Sequence, residues 1–310
     1  ERIFAAYQQL DTEGIFLCSI DDYEINRLHL LMRQTFGDDA WEATFIRKRR
    51  TSSAMSQNLI SQDHEYVACY TKRDFSTVKG IPKEYKSYRN PDNNPRGPWT
   101  FGDLTIGMDS TMRPNQFYDL VSPFTGKAYP ANPNRVWSFI PESMQKKIEE
   151  GKVAFPDDPK LLALGIRING PMLKRFKAEL KSDVNPVSTL IDTGKGKEET
   201  NGVIHLFAGL NTEATKEIQN FFGNSQFTYA KPMSLVSVLI DQFCTRYTDQ
   251  VMDFFAGSGT TGHAVINLNR EDGGKRKYIL VEMGDHFDTV LKPRIAKVVY
   301  SEGWKDGKPT

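Results

Sequence analysis

The sequence predicts an α/β fold, a parallel sheet covered by helices, with a separate loop-rich module set into the middle of the chain. Three observations carry that prediction. Short continuous apolar runs bounded by glycine or acid, at residues 15–20 and 278–282, are the mark of strands buried on both faces. Between a similar run at 251–255 and the one at 278–282 lies one helical stretch, 260–269, so this segment reads as a β-α-β unit with a right-handed crossover. Thirteen of the 16 prolines fall between Pro82 and Pro186, a density that regular strands and helices do not tolerate.

Residues 5–10 read as the end of a helix. The strand at 15–20 runs into Asp21-Asp22, which can cap the helix at 24–36. That helix places Ile25, Leu28, Leu31, Met32 and Phe36 on one stripe before Gly37 stops it. Residues 41–47 and 65–70 read as two further strands. The proline-rich module, 73–226, can draw a small core from Trp99, Phe101, Phe117, Tyr118, Trp137 and Phe139, and its helix at 142–150 ends on Gly151. Regular structure returns at 227–310, with an apolar helix at 234–244 behind Lys231-Pro232 and then the β-α-β unit. The expected division is 1–72, 73–226 and 227–310.

Composition narrows the function classes. Hydrophobic residues make up 39% and charged residues 25% of the 310-residue chain, which suits a packed core and not a disordered polymer. No apolar run approaches the ~20 residues of a membrane helix, and Glu1-Arg2-Ile3-Phe4 is not a signal peptide. Cys18, Cys69 and Cys244 stand far apart without a Cys-x-x-Cys pair, so neither a disulfide framework nor a metal site is indicated, and a cytoplasmic location fits. A net charge of +1 neither favours nor excludes nucleic acid, because a neutral protein can be basic on one face. The abrupt start and end are expected of a piece cut from a longer chain.

The strongest chemical signal is Asp253-Phe254-Phe255-Ala256-Gly257-Ser258-Gly259-Thr260-Thr261-Gly262, where a strand ends, the chain turns on glycines and a helix begins. Glycine permits the sharp turn and close approach of a ligand, and the new helix offers unpaired N–H groups. Glu282 ends the next strand at the same sheet edge, where a carboxylate can accept both ribose hydroxyls of an adenosine. Residues 257–262 satisfy G-x-G-x-x-G, so a nicotinamide dinucleotide is one candidate ligand. Asp253 tips the balance towards S-adenosylmethionine: a carboxylate beside the loop repels a pyrophosphate and suits a cationic sulfonium and ammonium. Asp253 as a helix-dipole partner and Glu282 as a solvated strand end remain open alternatives.

Residues 253–261 closely resemble the cofactor motif of amino-methyltransferases acting on DNA. Phe227-Thr228-Tyr229-Ala230-Lys231-Pro232 is similar to the aromatic-Lys-Pro segment that precedes that motif in the permuted (beta) class. Residues 14–22 resemble the strand that follows the family's catalytic motif. Ser61-Gln62-Asp63-His64-Glu65-Tyr66, with Tyr70-Thr71-Lys72, resembles the end of the catalytic half. Residues 276–282 and 287–295 are similar to modification subunits of type III restriction-modification systems.

The resemblance implies a Rossmann-like S-adenosylmethionine-dependent methyltransferase sheet in circularly permuted order, interrupted by an inserted target-recognition domain. Residues 1–72 would belong to the catalytic half, 73–226 would read DNA and 227–310 would hold the cofactor. Asp253, Phe255, Gly257, Ser258 and Gly259 would surround the donor, with Glu282 on the ribose and Lys231 near the rim. The implied reaction is adenine-N6 methylation of a base taken out of double-stranded DNA. The implied partners are a restriction (endonuclease/helicase) subunit and a second modification subunit. The family's catalytic motif, Asp/Asn/Ser-Pro-Pro-aromatic, is the departure: no Pro-Pro occurs in the sequence, so no catalytic residue is assigned and residues 1–310 alone are expected to be inactive.

Candidate DNA contacts are Arg47, Lys48, Arg49 and Arg50, the densest basic run, with Arg96, Arg113 and Arg135 in the module. His64 is a candidate for the base pocket. The rivals are a cytosine-N4 methyltransferase, a DNA-recognition fragment without activity of its own and, outside the class, a nicotinamide-dependent oxidoreductase.

Overall fold

The computed structural model describes residues 1–51, 60–72, 78–180 and 182–310. It forms two compact units, one made of Glu1–Pro82 and Val184–Thr310 and the other of Lys83–Asp183. The larger unit opens with helix α1 (Arg2–Gln9), strand β1 (Ile15–Ile20), helix α2 (Ile25–Phe36) and strands β2 (Trp41–Lys48) and β3 (His64–Thr71).

The smaller unit carries strands β4 (Trp99–Gly102), β5 (Leu120–Val121) and β6 (Ala128–Tyr129), helix α3 (Pro141–Glu149), strand β7 (Val153–Ala154), helix α4 (Pro159–Ala163) and strand β8 (Met172–Phe176). Its core is built from Leu104, Leu120, Trp137, Met144 and Phe155, with Trp99, Leu161 and Phe176 in a second cluster. Tyr118, Phe139 and Phe101 pack partly buried against these clusters, as the sequence suggests. Phe117 does not: it follows the 3-10 turn Pro114–Gln116 and is exposed.

The larger unit resumes with β9 (Val187–Thr193), β10 (Gly196–Thr200), β11 (Val203–Ala208), α5 (Asn211–Phe222), α6 (Met233–Phe243), β12 (Gln250–Asp253), α7 (Thr260–Asp272) and β13 (Lys277–Leu280). A π-helical turn at Phe287–Leu291 leads into α8 (Lys292–Tyr300), and the short hairpin of β14 (Trp304–Lys305) and β15 (Lys308–Pro309) follows. The loop-rich unit is therefore shorter than the expected 73–226. Residues 184–226 fold with the larger unit because β9 pairs in parallel with β2 and with β11. The expected start at Arg73 lies outside the described residues.

The main sheet runs β1-β3-β2-β9-β11-β10 and is mixed, not parallel throughout: β2, β9 and β11 run parallel, whereas β1-β3, β3-β2 and β11-β10 are antiparallel. Side-chain alternation decides what each face buries. On β3, Val67 and Cys69 face a core with Phe45, Ile191, Leu206 and α6, while Ala68 and Tyr70 face α2. This two-sided burial is why the run 65–70 reads as continuously apolar. In contrast, β1 and β12 are only partly buried. Helix α2 buries Ile25, Leu28, Met32 and Phe36; Leu31, expected on the same stripe, is exposed because at about 100° per residue it falls on the opposite side of Leu28 from the other three, outside the buried arc. Among the described residues, no helix is long and apolar enough to cross a membrane.

Candidate cofactor site

Strands β12 and β13 pair in parallel, with Asp253 opposite Leu280, and α7 connects them as the sequence predicts. The turn out of β12 uses Gly257 at φ 52° and Gly259 at φ 81°, backbone conformations that L side chains rarely adopt. Gly262 lies in the first turn of α7, and a Cβ there would come within 2.8 Å of Ile295 Cδ1 and 2.9 Å of Leu280 Cδ1. The absent side chain thus lets the helix start lie close on β13 and α8.

Both acids that the sequence singled out hold this turn. Asp253 Oδ1 accepts from the Phe255 N–H at 2.9 Å and Oδ2 from the Thr261 hydroxyl at 2.6 Å. Glu282 Oε2 accepts from the Gly257 N–H at 2.8 Å, and Oε1 accepts from the N–H groups of Met283 at 2.8 Å and Gly284 at 2.9 Å. Desolvation works to raise the Glu282 pKa, but the backbone N–H groups of Gly284, Gly257 and Met283 outweigh it and hold the group at about 2. His286 Nε2 lies 3.3 Å from Glu282 Oε2, and the imidazole lies 5.0 Å, centroid to centroid, from the Phe227 ring that covers Gly257.

The remaining predicted cofactor residues divide. Phe255 is exposed at the mouth, with the Arg2 guanidinium 4.7 Å from its ring centroid. Gly259 caps α7. Ser258 is buried and its hydroxyl accepts from Arg294 at 2.9 Å, underneath the turn. Lys231 is joined to the turn through its carbonyl, which accepts from Thr260 Oγ1 at 3.2 Å, but its ammonium reaches Glu65 at 2.8 Å.

The same contact leads to Arg47, expected at the DNA surface. Arg47 is not a surface cation. It is 1% exposed, stands directly across from Glu65 in the β2-β3 ladder, pairs with it at 2.7 Å and donates to the Gly209 carbonyl at 2.8 Å and to Asn211 Oδ1. Burial works to raise the Glu65 pKa, but Arg47 and Lys231 outweigh it and hold the carboxyl below its ordinary value. The reason is alternation: Arg47 shares a strand face with Phe45, and that face is the one α6 covers.

Of its neighbours, Lys48 is exposed, Arg49 donates to the Gln62 carbonyl at 3.2 Å, and Arg50 pairs with Asp63 at 3.2 Å. His64 lies 2.8 Å from the Tyr66 hydroxyl and 3.4 Å from Asp22. In the smaller unit, Arg96 donates to the Glu150 carbonyl at 2.6 Å, Arg113 contacts Met108 Sδ at 3.3 Å and Arg135 pairs with Asp103.

Three residues beneath the turn went unnoticed: Arg294, Glu217 and His263. Arg294 is fully buried and donates to Thr260 Oγ1 at 3.0 Å, to Glu217 Oε2 at 3.1 Å and to His263 Nδ1 at 3.1 Å, as well as to Ser258. Burial, reinforced by Arg294 and Arg270, drives His263 down to about 3, so the ring is neutral. Arginine only donates, so Nδ1 is the acceptor and Nε2 carries the proton. Burial likewise pushes Glu217 up to about 7 against the pull of Arg294. No spacing or periodicity in the sequence marks these three.

A parallel β-α-β unit that turns on glycines, with one carboxylate at the end of each strand, places the chain among α/β proteins. The chain belongs to the DNA methylase family of N6/N4 methyltransferases, whose model matches residues 1–292. It is 30% identical to the type III restriction-modification enzyme StyLTI Mod subunit of Salmonella typhimurium, over 90% of this chain and 39% of that protein. It is 32% identical to the type II methyltransferase M.KpnI of Klebsiella pneumoniae, over 91% of this chain and 65% of that protein. With the type III EcoP15I Mod subunit of Escherichia coli it shares 27% identity, over 92% of this chain and 45% of that protein. The chain thus spans less than two thirds of each of these relatives.

Proposed function

We propose that this chain carries the donor-binding and DNA-reading parts of an S-adenosylmethionine-dependent DNA amino-methyltransferase, the modification subunit of a type III restriction-modification system. The observation that carries the reading is the pair of carboxylates at the turn, with the Gly257 N–H already donated to Glu282. In a phosphate-binding loop such N–H groups are free to meet the anion. Here they meet an acid of the protein itself, and the resulting negative cleft suits a sulfonium and an ammonium. The donor, when bound, supplies a methyl group on a positively charged sulfur for attack by an exocyclic base amine. Asp253 and Glu282 supply the negative field, Phe255 an exposed apolar face, and the Gly257–Gly259 turn lets the ligand lie against backbone.

The order of segments supports the permuted reading, in which residues 1–72 belong to the catalytic half, the unit Lys83–Asp183 is the target-recognition domain and residues 227–310 hold the cofactor. Double-stranded DNA is then the substrate, the protein acts in the cytoplasm, and its partners are a restriction subunit and a second modification subunit. Adenine N6 is the acceptor, a choice that leans on the two relatives named as Mod subunits of type III enzymes. The sequence holds no Pro-Pro, so no catalytic residue is assigned here and residues 1–310 alone are expected to be inactive.

The experiment is labelled-methyl transfer to unmethylated duplex DNA with and without an added Asp/Asn/Ser-Pro-Pro-aromatic segment, followed by nucleoside analysis. N6-methyladenine formed only with the added segment is expected. N4-methylcytosine would overturn the acceptor, and turnover by residues 1–310 alone would overturn the expected inactivity.

A further inference from the structure

The turn that meets the ligand rests on a buried cation that none of the expected roles uses. Arg294 comes from α8, directly after the π-helical turn, where one extra residue per turn changes the phase of the helix. Its Nη1 donates to the Ser258 and Thr260 hydroxyls, both residues of the glycine turn, and its Nη2 bridges Glu217 of α5 and His263 of α7. Thr260 in turn donates to the Lys231 carbonyl, and Lys231 is paired with the buried Glu65 of β3. One guanidinium therefore ties the start of α7 to α5, α8 and the segment in front of α6. A buried guanidinium is costly unless its partners are fixed, and here they come from the glycine turn, α7 and α5.

We infer that Arg294 is a positioning residue for donor binding: it acts through Ser258 and Thr260 to hold the glycine turn in its ligand-ready shape without touching the ligand. The inference rests on the cleft being the donor site. Its physical basis is pre-organisation. Asp253 and Glu282 hold the turn at Phe255, Gly257 and Thr261 but do not bond the side chains of residues 258 and 260, so whatever fixes those two removes an ordering cost that binding would otherwise bear. The hydroxyls of Ser258 and Thr260, 3.2 Å apart, both accept from Nη1, which makes them one unit with the arginine.

The test is calorimetric titration of S-adenosylmethionine into the wild-type chain, Arg294→Lys, Arg294→Met, Thr260→Val and the Arg294→Met/Thr260→Val double variant. Titrations run at a temperature where circular dichroism shows each protein folded. A purely structural role lowers the melting temperature and leaves the Kd of the folded protein alone. A positioning role raises Kd by at least about fivefold, the low end of coupling between a site and a residue outside it. It also predicts non-additivity, with Thr260→Val adding almost nothing once Arg294 is gone. Should Arg294→Met fail to fold, Thr260→Val and Arg294→Lys carry the test, each expected to weaken binding severalfold. Unchanged Kd in the folded variants, or strictly additive losses, would overturn the inference while leaving the cleft assignment intact. A wild-type chain that takes up no donor at all would instead overturn the cleft assignment on which the inference stands.

Discussion

Replacing Glu282 by glutamine removes one charge and little volume, and its effect can be worked from three hydrogen bonds. The carboxylate accepts from the N–H groups of Gly257, Met283 and Gly284. A glutamine offers one carbonyl oxygen, which can keep the Met283 and Gly284 pair, while its NH2 faces the Gly257 N–H, donor against donor. One unmet N–H costs about 1–3 kcal/mol. The pH dependence gives a second handle. Glu282 has an ordinary value of 4.5 and stands at about 2 in the folded protein. Folding therefore favours its ionised form: the contribution is fully present above pH 4.5 and is lost as pH falls towards 2. The shift corresponds to about 3 kcal/mol at 1.36 kcal/mol per unit, and solvent at the cleft edge reduces this to about 1–2 kcal/mol. Urea unfolding at half-unit steps from pH 7 to pH 2 reads it directly. The wild type and Glu282→Gln should differ by about 1–3 kcal/mol near pH 6, with the gap closing between pH 4.5 and 2. A gap constant across that window, or none at all, would refute the latch between Glu282 and the glycine turn.

Other consequences follow from the same geometry. Arg47→Met should cost about 3 kcal/mol in urea unfolding, the lower end for a broken buried pair since Lys231 still partners Glu65, whereas Lys48→Ala should cost less than about 0.5 kcal/mol; equal effects would contradict the burial of Arg47. Gly259→Ala, at φ 81° with a Cβ 3.3 Å from Leu291 Cγ, should destabilise by about 1–2 kcal/mol and weaken donor binding, and an unchanged melting curve would show that the turn does not need the left-handed conformation. In a histidine NMR titration His263 should stay neutral, with the proton on Nε2, down to pH 5, in keeping with a value of about 3; a midpoint above 6 would rule out its place beside Arg294.

The readable parts of the fold are those in which local pattern and tertiary burial agree. The β12-α7-β13 unit was legible because glycine, a buried helix and two short apolar runs fall in an order that few folds accommodate. The Asp253 and Glu282 positions followed from strand ends, although their immediate hydrogen bonds to the turn did not. The compact module ends before residue 226 because the proline-rich stretch stops at Pro186 and β9 behind it pairs with β2, more than a hundred residues earlier, and with β11; no local pattern records that pairing. Arg47 shows the opposite case. Its inward orientation was available from alternation with Phe45, but a run of four basic residues hid it. The Arg294, Glu217 and His263 cluster was illegible for a plain reason: three elements converge there, and no short-range pattern records convergence.

The most direct test of the central claim is competition at the cleft between the cationic methyl donor and a dinucleotide. Calorimetric titration of the chain with S-adenosylmethionine, repeated after saturation with NAD, should give one donor site per chain that NAD leaves unaltered and that Asp253→Asn and Glu282→Gln weaken. Saturable binding of NAD that blocks the donor, or donor binding that neither charge-removing substitution weakens, would contradict a cleft built for positive charge.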